Sequence, residues 1–177
     1  MAAGETKNIT GYLSLDDRYQ TTIYDDILEI IGATVTLNDP AGEIFTDKGN
    51  DTVTVTNSTI TSSSETGVEH IFSMDEDNDF LTISNSTLDV DVSMGDGDDE
   101  VLAEGDAPNK LTINKTLSLG SGDDILTIAS IVAGTGNIDF GDGNDTLVFD
   151  GGKLLITGSI SSFTNLKVTG KGGTLRH

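Results

Sequence analysis

One short acidic pattern recurs along the whole chain, and it constrains the fold more than any other feature of the sequence. In its complete form the pattern reads Gly-x-Gly, then Asn or Asp, then an anchor aspartate, one further residue, and Leu or Val. Its six copies lie 20–28 residues apart and have the anchors Asp26, Asp51, Asp79, Asp99, Asp124 and Asp145. A repeat with a period of this length is the sequence signature of a solenoid or a related repeat architecture.

A second, weaker pattern lies inside the same period. It reads Asn-x-Thr followed by Ile or Leu, and it occurs at residues 57–60, 85–88 and 114–117, with a degenerate copy at 32–35. Two marks in a fixed order strengthen the interpretation of the chain as a repeat protein.

The segments between these marks alternate between apolar and polar residues. Residues 52–55, 88–94 and 111–113 show the alternation most clearly, and their polar positions are mainly Thr, Ser and Asp. Strict alternation predicts strands with one buried face, and no segment has a convincing helical period. The Gly-x-Gly element predicts a turn between strands, because glycine reaches positive φ at little cost.

A unit of 20–28 residues cannot bury its own apolar face, so it has to stack on its neighbours. We therefore expect an all-β fold, a right-handed parallel β-helix of about six to seven coils with strands about 4.8 Å apart. A β-sandwich is the alternative, but it gives no reason for one acidic turn in every period. We interpret residues 1–20 as an N-terminal cap or a vector-derived segment, 21–170 as a single β-helix domain, and 171–177 as a tail with a tag remnant.

The charge of the chain excludes several classes of partner. With 30 acidic and 9 basic residues among 177, its formal net charge is -21, which opposes binding to nucleic acid and to anionic membrane surfaces. No apolar stretch approaches the roughly 20 residues that a bilayer-spanning helix needs, so we expect no direct membrane insertion. Cysteine is absent, which excludes disulfides and thiolate metal sites.

The best acidic turn, residues 141–147, resembles the calcium-binding Gly/Asp repeat of the repeats-in-toxin proteins, and residues 95–101 and 120–126 match nearly as well. In that family the turn backbone and the motif aspartate bind Ca²⁺ between successive coils, although there the motif repeats every nine residues. The resemblance implies Ca²⁺ as a cofactor. The candidate ligands are Asp51, Asp96, Asp98, Asp99, Asp123, Asp124, Asp142 and Asp145.

Stacking of the acidic turns also raises a problem of charge. Two carboxylates about 4.8 Å apart repel by about 0.9 kcal/mol in water and by about 3.5 kcal/mol at an effective dielectric constant of 20. Residues 49–109 contain fifteen acids and no Lys or Arg. A hard cation with oxygen ligands would relieve this repulsion. The alternative is that the aspartates only form turns through bonds to nearby N–H groups, an interpretation favoured at Asp26 and Asp79, where the glycines are absent.

The C-terminal segment, residues 160–175, is similar to segments of autotransporter-type passenger domains and large bacterial surface adhesins, which are exported β-helices. This resemblance implies a structural or adhesive part of an exported bacterial surface or secreted protein, located outside the cell or on its surface. The alternative is a module that binds a host glycan or surface receptor. A carbohydrate-active enzyme is disfavoured, because no catalytic motif occurs, and we expect no enzymatic activity. Exposed coil ends predict self-association.

Overall fold

The computed structural model describes residues 4–38, 41–63, 71–105, 110–169 and 174–176. Within these ranges the fold is all-β and contains no helix, and so no apolar helix of a length that could cross a membrane. All strand pairs are parallel, and equivalent strands of successive periods lie side by side. The protein is a parallel β-solenoid of about seven turns, which confirms the all-β solenoid prediction and its number of coils.

The strands follow one another in a regular order. The first coil contains β1 Thr6–Leu15 and β2 Arg18–Gln20, and the second contains β3 Ile27–Leu37 and β4 Glu43–Phe45. The third coil contains β5 Thr52–Thr56, β6 Thr59–Ser62 and β7 Ile71–Ser73, and the fourth contains β8 Phe80–Ser84, β9 Thr87–Asp89 and β10 Asp91–Asp96. The fifth coil contains β11 Glu100–Glu104, β12 Leu111–Ile113 and β13 Leu117–Ser121, and the sixth contains β14 Ile125–Ile128, β15 Ile131–Gly134 and β16 Ile138–Asp139. The seventh contains β17 Thr146–Asp150, β18 Lys153–Ile156 and β19 Ile160–Ser161, and β20 Asn165–Thr169 and β21 Thr174–Arg176 follow it.

These strands form three faces. The first face stacks β5, β8, β11, β14, β17 and β20, and the second stacks β6, β9, β12, β15, β18 and β21. The long strands β1 and β3 run along both faces and join them into one sheet, and the third face is a separate sheet in the order β19-β16-β13-β10-β7-β4-β2. At about 4.8 Å per coil, seven coils make a rod about 34 Å long.

The core consists of columns of apolar side chains that point inward at the same register in successive coils. On the first face one column is fully buried at Leu28, Val53, Leu81, Val101, Leu126 and Leu147. The outward neighbours in the same strands are mostly polar, as the alternation predicts. Each coil thus contributes its apolar side chains to one continuous core that it shares with the coils above and below.

The second repeat pattern, Asn-x-Thr, identifies structurally equivalent positions in only part of the chain. Thr34, Thr59 and Thr87 pair in register on the second face, so the copies at 32–35, 57–60 and 85–88 are equivalent. The copy at 114–117 is not equivalent, because Leu117 pairs with Val92 on the third face. Its match to the pattern was therefore misleading: the true partner of Thr87 is Thr112, which lies in a strand without the preceding Asn.

Five of the six acidic turns, those before Asp51, Asp79, Asp99, Asp124 and Asp145, share one backbone conformation whether or not they contain glycine; the turn before Asp26 does not. The residue four positions before each of these anchors has positive φ at Asp47, Asp75, Gly95, Gly120 and Gly141, with values of 69°, 78°, 113°, 109° and 82°. The residue two positions before the anchor also has positive φ, even at Asp77, where φ is 79°. Aspartate is among the few non-glycine residues that tolerate this region. The turn at 75–81 therefore keeps its shape without either glycine.

Candidate ion-binding ladder

The six anchor aspartates form a single buried column, which we call the Asp ladder: Asp26, Asp51, Asp79, Asp99, Asp124 and Asp145. Each lies immediately before a strand of the first face, two residues ahead of an inward apolar residue such as Val53 or Leu126. Because side chains alternate along an extended backbone, the anchor points inward as well. None of the six is more than 3% exposed. Carboxylates are almost never buried to this extent unless they are paired.

Backbone N–H groups pair one of the two carboxylate oxygens of each anchor. In five consecutive steps the N–H of one anchor donates to Oδ1 of the next anchor along the chain, one coil further on, and the N–H of Glu5 donates to Asp26 in the same way. The five donor–acceptor distances are 2.7 Å for Asp26–Asp51, 2.8 Å for Asp51–Asp79, 2.8 Å for Asp79–Asp99, 2.9 Å for Asp99–Asp124 and 2.9 Å for Asp124–Asp145. Each anchor thus ties its own coil to the preceding one.

The second carboxylate oxygen is free at five of the six positions. Oδ2 is buried and has no hydrogen-bond partner among the described residues in Asp51, Asp79, Asp99, Asp124 and Asp145. At Asp26, in contrast, Oδ2 accepts hydrogen bonds from the backbone and hydroxyl of Thr22. A buried polar atom without a partner is costly, and a buried charge costs more. The column therefore needs a proton or another cation.

Burial acts to raise the pKa of the carboxyl groups in the ladder, which favours the neutral form and avoids a buried charge. Desolvation, together with the neighbouring carboxylates, raises the pKa of Asp51 to about 7, of Asp79 to about 9, of Asp99 to about 7 and of Asp124 to about 6, although the N–H bonds partly oppose it. At Asp26 desolvation also acts upward, but the bonds from Glu5 and Thr22 outweigh it and lower the pKa. The interior of the ladder thus favours neutral carboxyl groups.

A second ladder runs along the outside, one residue before the anchors. We call it the outer ladder; it consists of Asp25, Asn50, Asn78, Asp98, Asp123 and Asn144, all of which are exposed. Here the hydrogen bonds have the opposite polarity, because the Oδ1 atoms of the first five members accept from backbone N–H groups of the following coil. For example, the N–H of Asp123 donates to Oδ1 of Asp98 at 2.8 Å. The two ladders therefore connect five successive pairs of coils in both directions at this corner.

The structure separates the eight predicted calcium ligands into two groups. Asp51, Asp99, Asp124 and Asp145 belong to the Asp ladder and point inward, whereas Asp96, Asp98, Asp123 and Asp142 are exposed on the outside of the turns. Adjacent residues such as Asp98 and Asp99 face opposite sides of the backbone, so they cannot share one ion. Nowhere in the described ranges do three acidic or histidine side chains meet as a group that could hold a metal ion.

The fit of calcium to the ladder is therefore partial. The free Oδ2 atoms are hard anionic donors of the kind that Ca²⁺ prefers, and the ladder could bind ions. Each coil offers one such atom, whereas Ca²⁺ takes about six to eight oxygens. The predicted calcium ligands stay a prediction.

Two anchors that sequence reasoning excluded from the candidate site belong to the same column. Asp26 and Asp79 lack the glycines of the pattern, yet both are buried members of the ladder. The alternation was the available signal, since each lies two residues before an inward leucine. A smaller buried pair was also missed: Ser58 and Ser86 accept the N–H groups of Ala33 and Ser58 at 3.0 and 3.1 Å.

No protein-family model, no curated protein and no solved structure matches the chain.

Proposed function

We propose that the chain is a structural or adhesive rod within an exported bacterial surface or secreted protein, and that it acts without catalysis. The observation that carries the proposal is the uninterrupted stack from β1 to β20, in which every coil boundary is crossed by sheet hydrogen bonds and five successive boundaries are also crossed by both ladders. The chain enters this stack at one end and reaches the other end about 34 Å away. A rod with that course can hold two flanking segments at a fixed separation.

The location is tested on the native host. Antibodies raised against the purified chain should label intact, unpermeabilised cells or the culture medium. Labelling that appears only after lysis would contradict the surface assignment. A turnover assay on a panel of acidic and neutral polysaccharides tests the absence of catalysis, and release of reducing ends from any of them would overturn it.

We further propose Ca²⁺ as a cation that occupies the free oxygens of the Asp ladder after export. The support is the column of five buried Oδ2 atoms and the cost of leaving them charged and unpaired. Extracellular calcium sites commonly bind at about 10⁻⁴–10⁻³ M, so such an ion would fill outside the cell rather than in the cytosol. The ligands assigned here are the inward aspartates Asp51, Asp79, Asp99, Asp124 and Asp145; the outward four serve solubility and the outer ladder.

Thermal unfolding near pH 8 tests this assignment, with millimolar Ca²⁺ in one sample and chelator in the other. The unfolding midpoint should rise with Ca²⁺, because an ion that binds only the folded state stabilises it by mass action. Asp99→Asn should reduce the response and the adjacent Asp98→Asn should preserve it. An equal midpoint in both samples would show that protons alone neutralise the ladder.

A glycan-binding role is the second candidate, and one groove favours it. The groove has a volume of about 540 Å³ and lies beside the acidic turn near the N-terminal end, lined by Ile23, Tyr24, Asp25, Asn50 and Asp77 among others. Tyr24 is 41% exposed, which leaves its ring available for stacking on a sugar, and planar polar groups surround it. A glycan array with the wild-type chain and the Tyr24→Ala variant tests this role. Binding that depends on Tyr24 would support it, and no binding to any glycan would favour the structural rod.

A further inference from the structure

The C-terminal end of the rod exposes side chains that belong to the core. In β20, Leu166 and Val168 continue the columns of Leu147 and Phe149, which are buried, yet they are 55% and 61% exposed. The outer edge of β20 also pairs with no strand in the described part of the chain. An apolar surface beside an open strand edge is a template for another strand.

The same end has the opposite charge to the rest of the rod. Residues 151–177 contain four basic residues and no acid, whereas residues 1–150 contain all 30 acids and five basic residues. The terminal segment therefore carries +4 and the remainder -25. Lys167 is exposed on β20, between Leu166 and Val168. The end thus combines an apolar surface with a positive charge.

The N-terminal end offers a matching edge. Among the described strands, β1 pairs only with β3 and β2 pairs only with β4, so each leaves one edge open. Ile9 and Leu13 of β1 occupy core positions, in register with Ile30 and Val35. Because β1 runs along the first and second faces, it can lie against both β20 and β21 of another copy. The third face ends one coil earlier, at β19, so β2 does not pair with β19 in this arrangement.

We propose that copies of this chain stack head to tail, with the C-terminal end of one on the N-terminal end of the next, so that the first and second faces of the solenoid continue through the interface. Charge selects this orientation: two C-terminal ends would bring +4 against +4, whereas head-to-tail contact brings +4 against an acidic rod. The register of the stack aligns Val168 with Ile9 and Thr169 with Thr10 of the next copy. A heterologous contact of this kind does not close, so it extends beyond a dimer.

Sedimentation velocity over a range of protein concentrations tests the surface. The wild-type chain should form species larger than dimers as the concentration rises. Val168→Asp should abolish them, while the matched control Ile125→Asp, at a 39% exposed outward position in the middle of the rod, should leave them unchanged. A chain that stays monomeric at every concentration, or an equal effect of both variants, would overturn the proposal. Circular dichroism melts of each variant establish that it is folded.

Engineered thiols test the orientation, since the chain has no cysteine of its own. Thr10→Cys and Thr169→Cys would lie in register on neighbouring strands, and strand partners about 4.8 Å apart are within the Cα–Cα range of a disulfide. A mixture of the two single variants should form a disulfide-linked heterodimer on oxidation, and the Thr169→Cys variant alone should stay unlinked. Linking of Thr169→Cys to itself would show tail-to-tail contact and contradict the proposal.

Discussion

The backbone N–H of Asp99 donates a 2.9 Å hydrogen bond to Oδ1 of Asp124, a residue one full coil further along the chain. Both side chains are buried, with 1% and 0% of their surfaces exposed. The carboxyl group of Asp124 therefore acts as the clamp between two coils, while its other oxygen stays without a partner among the described residues. This relationship repeats along the Asp ladder and leads to the predictions below.

Asp99→Ala should destabilise the rod by about 1–3 kcal/mol, because the N–H of Asp79 then loses its acceptor in a place that water does not reach. Asp99→Asn should cost less, since the amide oxygen can accept the same bond and no charge is buried. Urea unfolding of the three proteins measures the difference. Asp98→Ala is the control: its Oδ1 accepts a bond at the exposed surface, where water replaces it, so a change within about 0.5 kcal/mol is expected. Equal losses for Asp98→Ala and Asp99→Ala would contradict the inward placement of the ladder.

Stability in the presence of chelator should fall as the pH rises from about 5 to about 9. The pKa values of about 7, 9, 7 and 6 at Asp51, Asp79, Asp99 and Asp124 lie above the ordinary 3.8 of an aspartate. Between those limits the folded state binds protons that the unfolded chain does not, so the contribution of these groups is full at low pH and lost as the pH passes through the folded values. Asp26, with its lowered pKa, acts in the opposite direction at lower pH.

The expected loss between pH 5 and pH 9 is at least about 4 kcal/mol, because four carboxyl groups titrate in this range and each unit of pKa shift corresponds to about 1.4 kcal/mol. Urea unfolding at several pH values measures it. Asp79→Asn should flatten the profile most at its alkaline end. A free energy of unfolding that is constant or rises over this range would show that the ladder is charged in the folded state.

Gly120 and Asp75 occupy the same position of the repeat, and substitutions there should act with different strength. A Cβ on Gly120 would lie 1.8 Å from the carbonyl oxygen of Gly95, and the residue has a φ of 109°. Gly120→Ala should therefore destabilise by at least about 2 kcal/mol. Asp75 already holds a φ of 78°, so Asp75→Gly should change stability by less than about 1 kcal/mol. Paired urea melts check this, and a tolerated Gly120→Ala would contradict the close stacking of the turns.

Much of the fold follows from the sequence pattern. The period and the Thr/Val alternation at residues 52–55 predicted stacked parallel strands, because each coil has to bury its apolar side chains on its neighbours. The second mark was less informative: residues 114–117 repeat the letters of 85–88 but lie on a different face. Short polar motifs recur at several corners of a solenoid, and only strand pairing shows which copies are equivalent.

The candidate site was predicted only in part. The sequence pattern identified the anchor positions, but acidic residues are normally exposed, so the pattern treated Asp98 and Asp99 alike. Their separation depends on which of two adjacent side chains faces the core, and that is set by the register of the following strand. The free Oδ2 atoms depend on three-dimensional packing and have no counterpart in the sequence. Likewise, the absence of glycine at 75–81 suggested a degenerate turn, although Asp75 and Asp77 adopt the same positive φ.

Residue-resolved amide hydrogen exchange tests the central claim, the buried clamp between coils, most directly. The N–H groups of Asp26, Asp51, Asp79, Asp99 and Asp124 should exchange only through global unfolding, because each is bonded inside the rod. The adjacent amides of the outer ladder should exchange faster, and the N–H of Asp145, which has no acceptor among the described residues, serves as an internal control. Slow exchange at the five anchors beside fast exchange at Asp145 is the predicted result. Anchor amides that exchange as fast as those of exposed loops would contradict the account.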